Sequence, residues 1–260
     1  MRKRIGLLVL ILYLILNLAG VGYAVDKGSV TIVTKAWPPY IMKNEKGNPT
    51  GFDYEISKAV FDRMGVELKF KFYPWKRSIK LAQLGRVDGI LDISLKDSRQ
   101  EFMYFPKEHL SMSSSVLFYK KNSFNAKEQF ETNDEGFILL EELKGYTIGY
   151  TLGYNYGFYF EESNLFEKQQ AESDRLNFKK LLANRIDLFL INKNNGLYKA
   201  KKMGISNQIS YIEEKFSGGP VYLAFSKKSV DKKLVRKFSN ELKRFKKTKQ
   251  YDKIRAKYGQ

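Results

Sequence analysis

Apolar and polar positions along this chain follow two periods in turn, and the alternation between them sets out its elements. Ser29 to Thr34 is short and rich in β-branched residues, which predicts a buried strand. Trp37-Pro38-Pro39-Tyr40 then stops it, because two prolines force an extended turn. Gly47 to Gly51 is a second turn. From Phe52 to Met64, the apolar residues Ile56, Ala59, Val60 and Met64 recur at helical spacing, with Gly65 as the stop. A strand over Val66–Tyr73, a helix over Trp75–Leu84 closed by Gly85, and a strand over Gly89–Ile93 follow. The pattern resumes with a strand at Tyr146–Tyr150, a helix at Leu176–Leu182, a strand at Ile186–Ile191 and a helix at Gly196–Met203.

Strands alternating with helices imply parallel sheets with crossover helices, so each half reads as an α/β unit. Between them, Val116–Tyr119 reads as a strand that turns polar near Lys120–Asn125. Val221–Phe225 is a strand that would run back beside it. The expected fold class is therefore α/β, two-lobed, with a two-strand hinge. The boundaries read as a leader over 1–24, lobe one over 25–117 and 220–260, and lobe two over 118–219.

The leader is read from the order of its residues. Arg2, Lys3 and Arg4 precede an apolar run from Leu7 to Leu18, and Gly22-Tyr23-Ala24 fits a small-x-small cleavage site. The run is shorter than the ~20 residues a membrane-spanning helix needs. A secretory signal peptide cleaved near Ala24 is the expectation, with no lipoprotein anchor, because no Cys follows. Cys is absent from the whole sequence and His109 is the sole histidine, so neither disulfides nor transition-metal sites are expected. The formal net charge is +18, or +15 without Arg2, Lys3 and Arg4. Much of it lies between Lys227 and Lys257, where basic and apolar residues alternate as on solvated amphipathic helices. Together with the export signal, this argues against a nucleic-acid partner. In open α/β sheets ligands bind beyond the carboxyl ends of the strands, which directs attention to 34–40, 73–77, 92–99, 151–156 and 192–195.

At those places the chain resembles the extracellular solute-binding proteins of polar amino-acid ABC transporters (bacterial solute-binding protein family 3), which have a periplasmic-binding-protein-like fold. The pieces that carry the resemblance are Trp37-Pro38-Pro39-Tyr40, Gly51-Phe52-Asp53, Pro74-Trp75, Val87-Asp88-Gly89-Ile90 and Ser94 followed by Arg99. In the second half they are Leu143-Lys144-Gly145, Leu152-Gly153, Arg185-Ile186-Asp187 and finally Tyr251-Asp252-Lys253-Ile254. The resemblance implies a periplasmic monomer that closes on a small carboxylate-bearing ligand, an amino acid or derivative, for an ABC permease, with no cofactor. It makes Arg99 the carboxylate clamp and Ser94 its neighbour. Trp37 and Trp75 become the aromatic walls, and Gly153 and Tyr154 the lobe-two loop.

Two departures qualify that picture. The family commonly has an Asp in lobe two for the ligand's amine, and Asn192 stands there. Asp92 replaces a small residue; it either takes over the amine or pairs with Arg77 or Arg99. Arg77 is either a second anion donor or a solvent-facing residue. Two other functions use the same fold: a ligand sensor for a signalling partner, and a cyclohexadienyl-dehydratase-like enzyme needing a general acid, nominally Glu55, Asp92 or Glu101.

Overall fold

The structure is a computed structural model that describes residues 28–123, 130–152, 154 and 156–259. The leader expected over 1–24 lies outside the described residues. Along the first stretch come β1 (Ser29–Thr34), β2 (Met42–Lys43), β3 (Pro49–Thr50), α1 (Phe52–Arg63), β4 (Glu67–Phe72), α2 (Trp75–Gln83), β5 (Gly89–Ser94), α3 (Asp97–Gln100), β6 (Met103–Tyr104) and β7 (Ser111–Lys120). The second stretch holds β8 (Thr147–Thr151), α4 (Phe158–Glu162), β9 (Glu167–Ala171), α5 (Asp174–Leu182), β10 (Leu188–Asn192), α6 (Lys193–Met203) and β11 (Ile209–Tyr211). The chain then returns through β12 (Ser217–Ser226) to α7 (Lys232–Phe245) and α8 (Lys249–Tyr258).

One sheet path runs β4-β1-β5-β12-β7-β10-β8-β9. β4, β1 and β5 are parallel, as are β10, β8 and β9. Between these groups, β12 and β7 run antiparallel, with Ser217 opposite Ser115 and Val221 opposite Ser111. The fold is the expected α/β, two-lobed arrangement, but the two connecting strands pair through Ser111–Ser115 and Ser217–Val221, whereas the predicted Val116–Tyr119 segment pairs with β10 and Leu223–Phe225 with β5.

Each half buries both faces of its sheet, as parallel strands require. In β1, Ile32 joins the cluster with Phe61, Phe225 and Phe238, while Val33 faces the opposite cluster with Ile90 and Ala224. In β10, Leu188 and Leu190 pack toward Phe160, and Phe189 and Ile191 toward Phe178. The buried residues of β1, α1, β5 and α7 and those of β8, α5 and β10 fall in separate clusters, and the second half of β7 (Val116, Leu117 and Phe118) packs with the latter. The two halves also repeat a device. Asp88 accepts a hydrogen bond from the Thr31 amide at 2.8 Å, and Asp187 accepts one from the Thr147 amide at 2.8 Å. Both carboxylates tie the turn before a strand to its neighbouring strand, so the V-D-G-I and R-I-D pieces are structural ties.

The basic C-terminal segment is amphipathic, as its pattern indicated. Leu234, Val235, Phe238, Leu242 and Phe245 of α7 are buried, each burial contributing about 1.5–3 kcal/mol, while the intervening lysines and arginines face solvent. The Asp231 side chain caps this helix by accepting from the Leu234 amide at 2.8 Å. Asp231→Ala is expected to cost about 1 kcal/mol, read as a lower urea midpoint at unchanged slope. An unmoved midpoint would remove the cap from the account.

Two strands differ from the sequence reading. β7 starts at Ser111 rather than Val116, because Ser113 to Ser115 carry no apolar signal yet pair with β12. β9 (EKQQA) has no apolar alternation at all; it is an edge strand held by its register with β8.

Candidate functional site

Residues at the carboxyl ends of β1, β5, β8 and β10 line one cavity of about 640 Å³, and the middles of β7 and β12 complete it. Both halves of the molecule contribute walls. That volume falls within the ~300–1,000 Å³ usual for small-molecule sites. Among the described residues no cluster of His, Asp or Glu has the makings of a metal site, and no helix is long and apolar enough to cross a membrane.

Arg99 reaches the cavity from α3, a short turn of helix after β5. Its Nη1 donates to the Ser94 carbonyl at 2.8 Å and to Ser94 Oγ at 2.7 Å. Its guanidinium carbon lies 5.6 Å from the centre of the Trp75 ring. Burial lowers its pKa from the ordinary value, yet a guanidinium remains charged. No carboxylate pairs with it among the described residues. The result is a half-buried fixed cation whose orientation is set by one hydroxyl, one carbonyl and one ring. Its remaining N–H groups have no hydrogen-bond partner among the described residues.

Trp37 and Trp75 both line the cavity. Trp37 stacks on Tyr40, with ring centres 4.7 Å apart at 27°. The loop that carries them is fastened to the start of α1, where the Phe52 and Asp53 amides donate to the Pro39 and Tyr40 carbonyls, both at 3.1 Å. The first turn of a helix has amides with no partner of its own, and this loop supplies them.

In the second half, Tyr154 lines the cavity, with the Lys35 ammonium 5.4 Å from its ring centre. Its hydroxyl donates to Asp174 at 3.4 Å, and burial followed by the Asp174 charge raises its pKa. Asp174 also accepts from Thr151 Oγ1 at 2.6 Å and pairs with Lys199. The Thr151 amide donates to Tyr156 Oη at 2.8 Å, so the loop is braced from within. Gly153 lies outside the described residues.

The departures resolve differently. Asn192 borders the cavity, but its Oδ1 caps α6 by accepting from the Asn195 amide at 3.0 Å, and its Nδ2 donates to Ser113 Oγ at 3.2 Å. It serves the fold before any ligand. Asp92 also borders the cavity, yet pairs with neither Arg77 nor Arg99, and both its oxygens are shut from solvent without a hydrogen-bond partner. Arg77 is not brought to the cavity. It is exposed on α2 with its guanidinium 4.4 Å from the Tyr73 ring centre, because its helical position points it away from the wall that Trp75 faces. His109 uses its backbone carbonyl to accept from Lys246 and takes no part in the cavity lining.

The sequence reading missed contacts that join the halves. Asn194 Nδ2 donates to Tyr40 Oη at 2.9 Å, and Asn195 Nδ2 donates to the Pro38 carbonyl. Tyr40 is buried and has its pKa pushed up to about 12 by that burial; it also receives a bond from the other half. Ser113, Ser115 and Ser217 line the cavity from the two connecting strands. The N-x-N-N run at the start of α6 was the available signal for the asparagines. Nothing in it shows which residue they meet.

A cavity walled from two α/β lobes joined by paired strands, with a fixed cation in it, defines a cleft-type binding protein. The profile of the bacterial extracellular solute-binding proteins, family 3, matches residues 30–260, and the chain belongs to that family. It is 24% identical over 271 residues to the Probable amino-acid-binding protein YxeM of Bacillus subtilis, covering 99% of this chain and 95% of that one. It is 24% identical to the L-arginine-binding protein of Pseudomonas aeruginosa over 104 residues, 40% of each chain. Similar solved structures include a histidine kinase sensor domain with similarity to periplasmic binding proteins (TM-score 0.68, 20% identity, 89% of this chain and 96% of that one). Another is an ancestral amino acid-binding protein described as a precursor of cyclohexadienyl dehydratase (TM-score 0.67, 22% identity, 90% and 96%).

Proposed function

We propose that this protein captures a small carboxylate-bearing ligand, an α-amino acid or close derivative, between lobes that close about β7 and β12. The observation that carries the reading is Arg99: a half-buried cation without a carboxylate partner among the described residues, fixed by Ser94 and Trp75 in a cavity built from both halves. A charge held that way awaits an anion, and its planar fork matches a carboxylate. The names of the two amino-acid-binding relatives support the ligand class. Trp37 and Trp75 flank the ligand's side chain in this reading. Tyr154 and the Gly153 loop meet it from the second lobe, with the lobes divided at 117/118 and 219/220. The bonds from Asn194 and Asn195 to the Trp37–Tyr40 loop hold the closed state.

In the same reading the chain is exported with cleavage near Ala24 and acts as a monomer that delivers its cargo to an ABC permease. The sensor-domain neighbour favours a second reading, in which the same closure reports the ligand to a signalling partner. The two share one ligand chemistry and differ in the partner; a neighbouring permease and ATPase gene would favour transport, a sensor kinase signalling. Neither reading needs catalysis. Glu55 is engaged by Thr50, Tyr258 and Lys257, and neither it nor Glu101 lines the cavity.

A thermal-shift screen of the twenty standard amino acids, small organic acids and sugars tests the class. Stabilisation by one or more zwitterions or carboxylates, growing with concentration, is expected, about 2.7 kcal/mol at a hundredfold excess over Kd. A response to sugars alone would overturn the reading.

A further inference from the structure

The border of the cavity holds a pair of carboxyls that carboxylate capture leaves unused. Asp53 stands in the first turn of α1 and is fully buried. Asp92 is the extra residue of a bulge in β5: Tyr222 of β12 faces Ile93 and Leu223 faces Leu91, so Asp92 has no counterpart. Its φ is 59°, a left-handed conformation that Asp tolerates better than most residues. A bulge takes a side chain out of the strand's alternation. Here it sets the Asp92 carboxyl against that of Asp53.

Written as two carboxylates, the pair is untenable. Both Asp92 oxygens and Asp53 Oδ1 are sealed from solvent with no hydrogen-bond donor, and no cation is paired with either group among the described residues. Like charges in contact without water repel strongly, whereas one proton turns the contact into a donor and an acceptor. Asp53 is the better holder of the charge. It lies at a helix N-terminus, and its Oδ2 accepts from Ser111 Oγ at 2.8 Å. Lys246 adds a favourable field, moderated by its ion pair with Glu108 at 2.7 Å. Asp92 has none of this support; burial, and then the Asp53 charge, hold its pKa well above the carboxylate range. The other titratable groups near the pair are the hydroxyls of Tyr40 and Tyr251, whose own pKa values are raised mainly by burial.

We propose that Asp53 and Asp92 share one proton in the ligand-free cleft, and that a ligand's ammonium draws the Asp92 carboxylate toward the cavity and expels that proton, so that capture is proton-coupled. The proton leaves for solvent. The Asp92 carboxylate then faces the ammonium, and Asp53 keeps its charge against Ser111. A turn of the Asp92 side chain is the movement required, because the residue borders the cavity while its oxygens face inward. The inference rests on the amino-acid reading, and it accounts for the loss of a carboxylate at Asn192. The amine's counter-charge lies in the lobe that also holds Arg99.

The sign follows from linkage. The free protein binds one proton more than the complex at any pH below the pair's free-state pKa. Affinity there rises about tenfold per pH unit and levels off above it. Two measurements on the purified protein test this. Infrared spectra of the ligand-free protein at neutral pH should show the carbonyl stretch of a protonated, buried carboxyl, and Asp92→Asn should remove it. Calorimetry with each amino acid that stabilises the protein, repeated in phosphate and in Tris, should show release of about one proton. Absence of the carbonyl band overturns the shared proton. Amino-acid binding without proton release overturns the coupling while leaving the binding reading intact. A band with no amino acid bound overturns the binding reading and the ammonium step, and leaves the proton-sharing pair standing.

Discussion

Arg99→Ala is expected to weaken capture of the carboxylate ligand about 10- to 100-fold, with little loss of stability. The expectation follows from what Arg99 contacts. Its two hydrogen bonds run to Ser94, a partly exposed strand end, and the residue itself lines the cavity. A charge-assisted bond in a site that excludes water contributes about 1.5–3 kcal/mol, and every 1.4 kcal/mol is tenfold in Kd. Because no carboxylate among the described residues pairs with Arg99, removing it strands no buried anion there, so urea stability should move by less than about 1 kcal/mol. Arg99→Lys should recover only part of the affinity, since an ammonium cannot offer a paired fork. Calorimetry against an amino acid from the screen decides it. An unchanged Kd would take the anchor away from Arg99.

Gly51→Ala should have the largest effect on stability, about 2–5 kcal/mol, and should loosen the site with it. Gly51 precedes α1 with a φ of 121°, a conformation strained for any residue with a Cβ. An added Cβ would lie 2.3 Å from the Tyr40 carbonyl oxygen and 2.8 Å from the Ile41 nitrogen. These are backbone atoms that no rotamer change can move. Strain of about 1–3 kcal/mol and a similar overpacking penalty therefore add. Relief would have to come from shifting the Trp37–Tyr40 loop away from α1, breaking its bonds to the Phe52 and Asp53 amides and moving Trp37. Urea unfolding gives the stability, and Trp37 fluorescence the loop. A variant as stable as the parent would contradict the close approach.

The period of the pattern carried most of the fold. Ser29–Thr34 matched β1 residue for residue, because β-branched residues packed on both faces leave no competing structure. Phe52–Arg63 and Trp75–Gln83 ended where the glycines indicated. β9 and the serine half of β7 were not legible. Their residues carry no apolar signal, and only pairing with neighbouring strands makes them strands.

The sequence by itself determined that two α/β units are joined by two returning strands, and that Trp37, Trp75, Asp92, Ser94, Arg99, Tyr154 and Asn192 fall where strands end. These properties are local: periodicity, turn chemistry and the rule that places ligands beyond strand termini. The tertiary structure decided how those residues are used. It left Arg77 outside the cavity, because helical phase fixes where a side chain points. It made Asn192 a helix cap, and it brought Asn194 and Asn195 onto a loop some 155 residues earlier in the chain. It set Asp92 against Asp53, because a one-residue bulge in β5 is fixed by register with β12, a strand more than a hundred residues away. Burial and pairing of charges are properties of space, and no spacing along the chain encodes them.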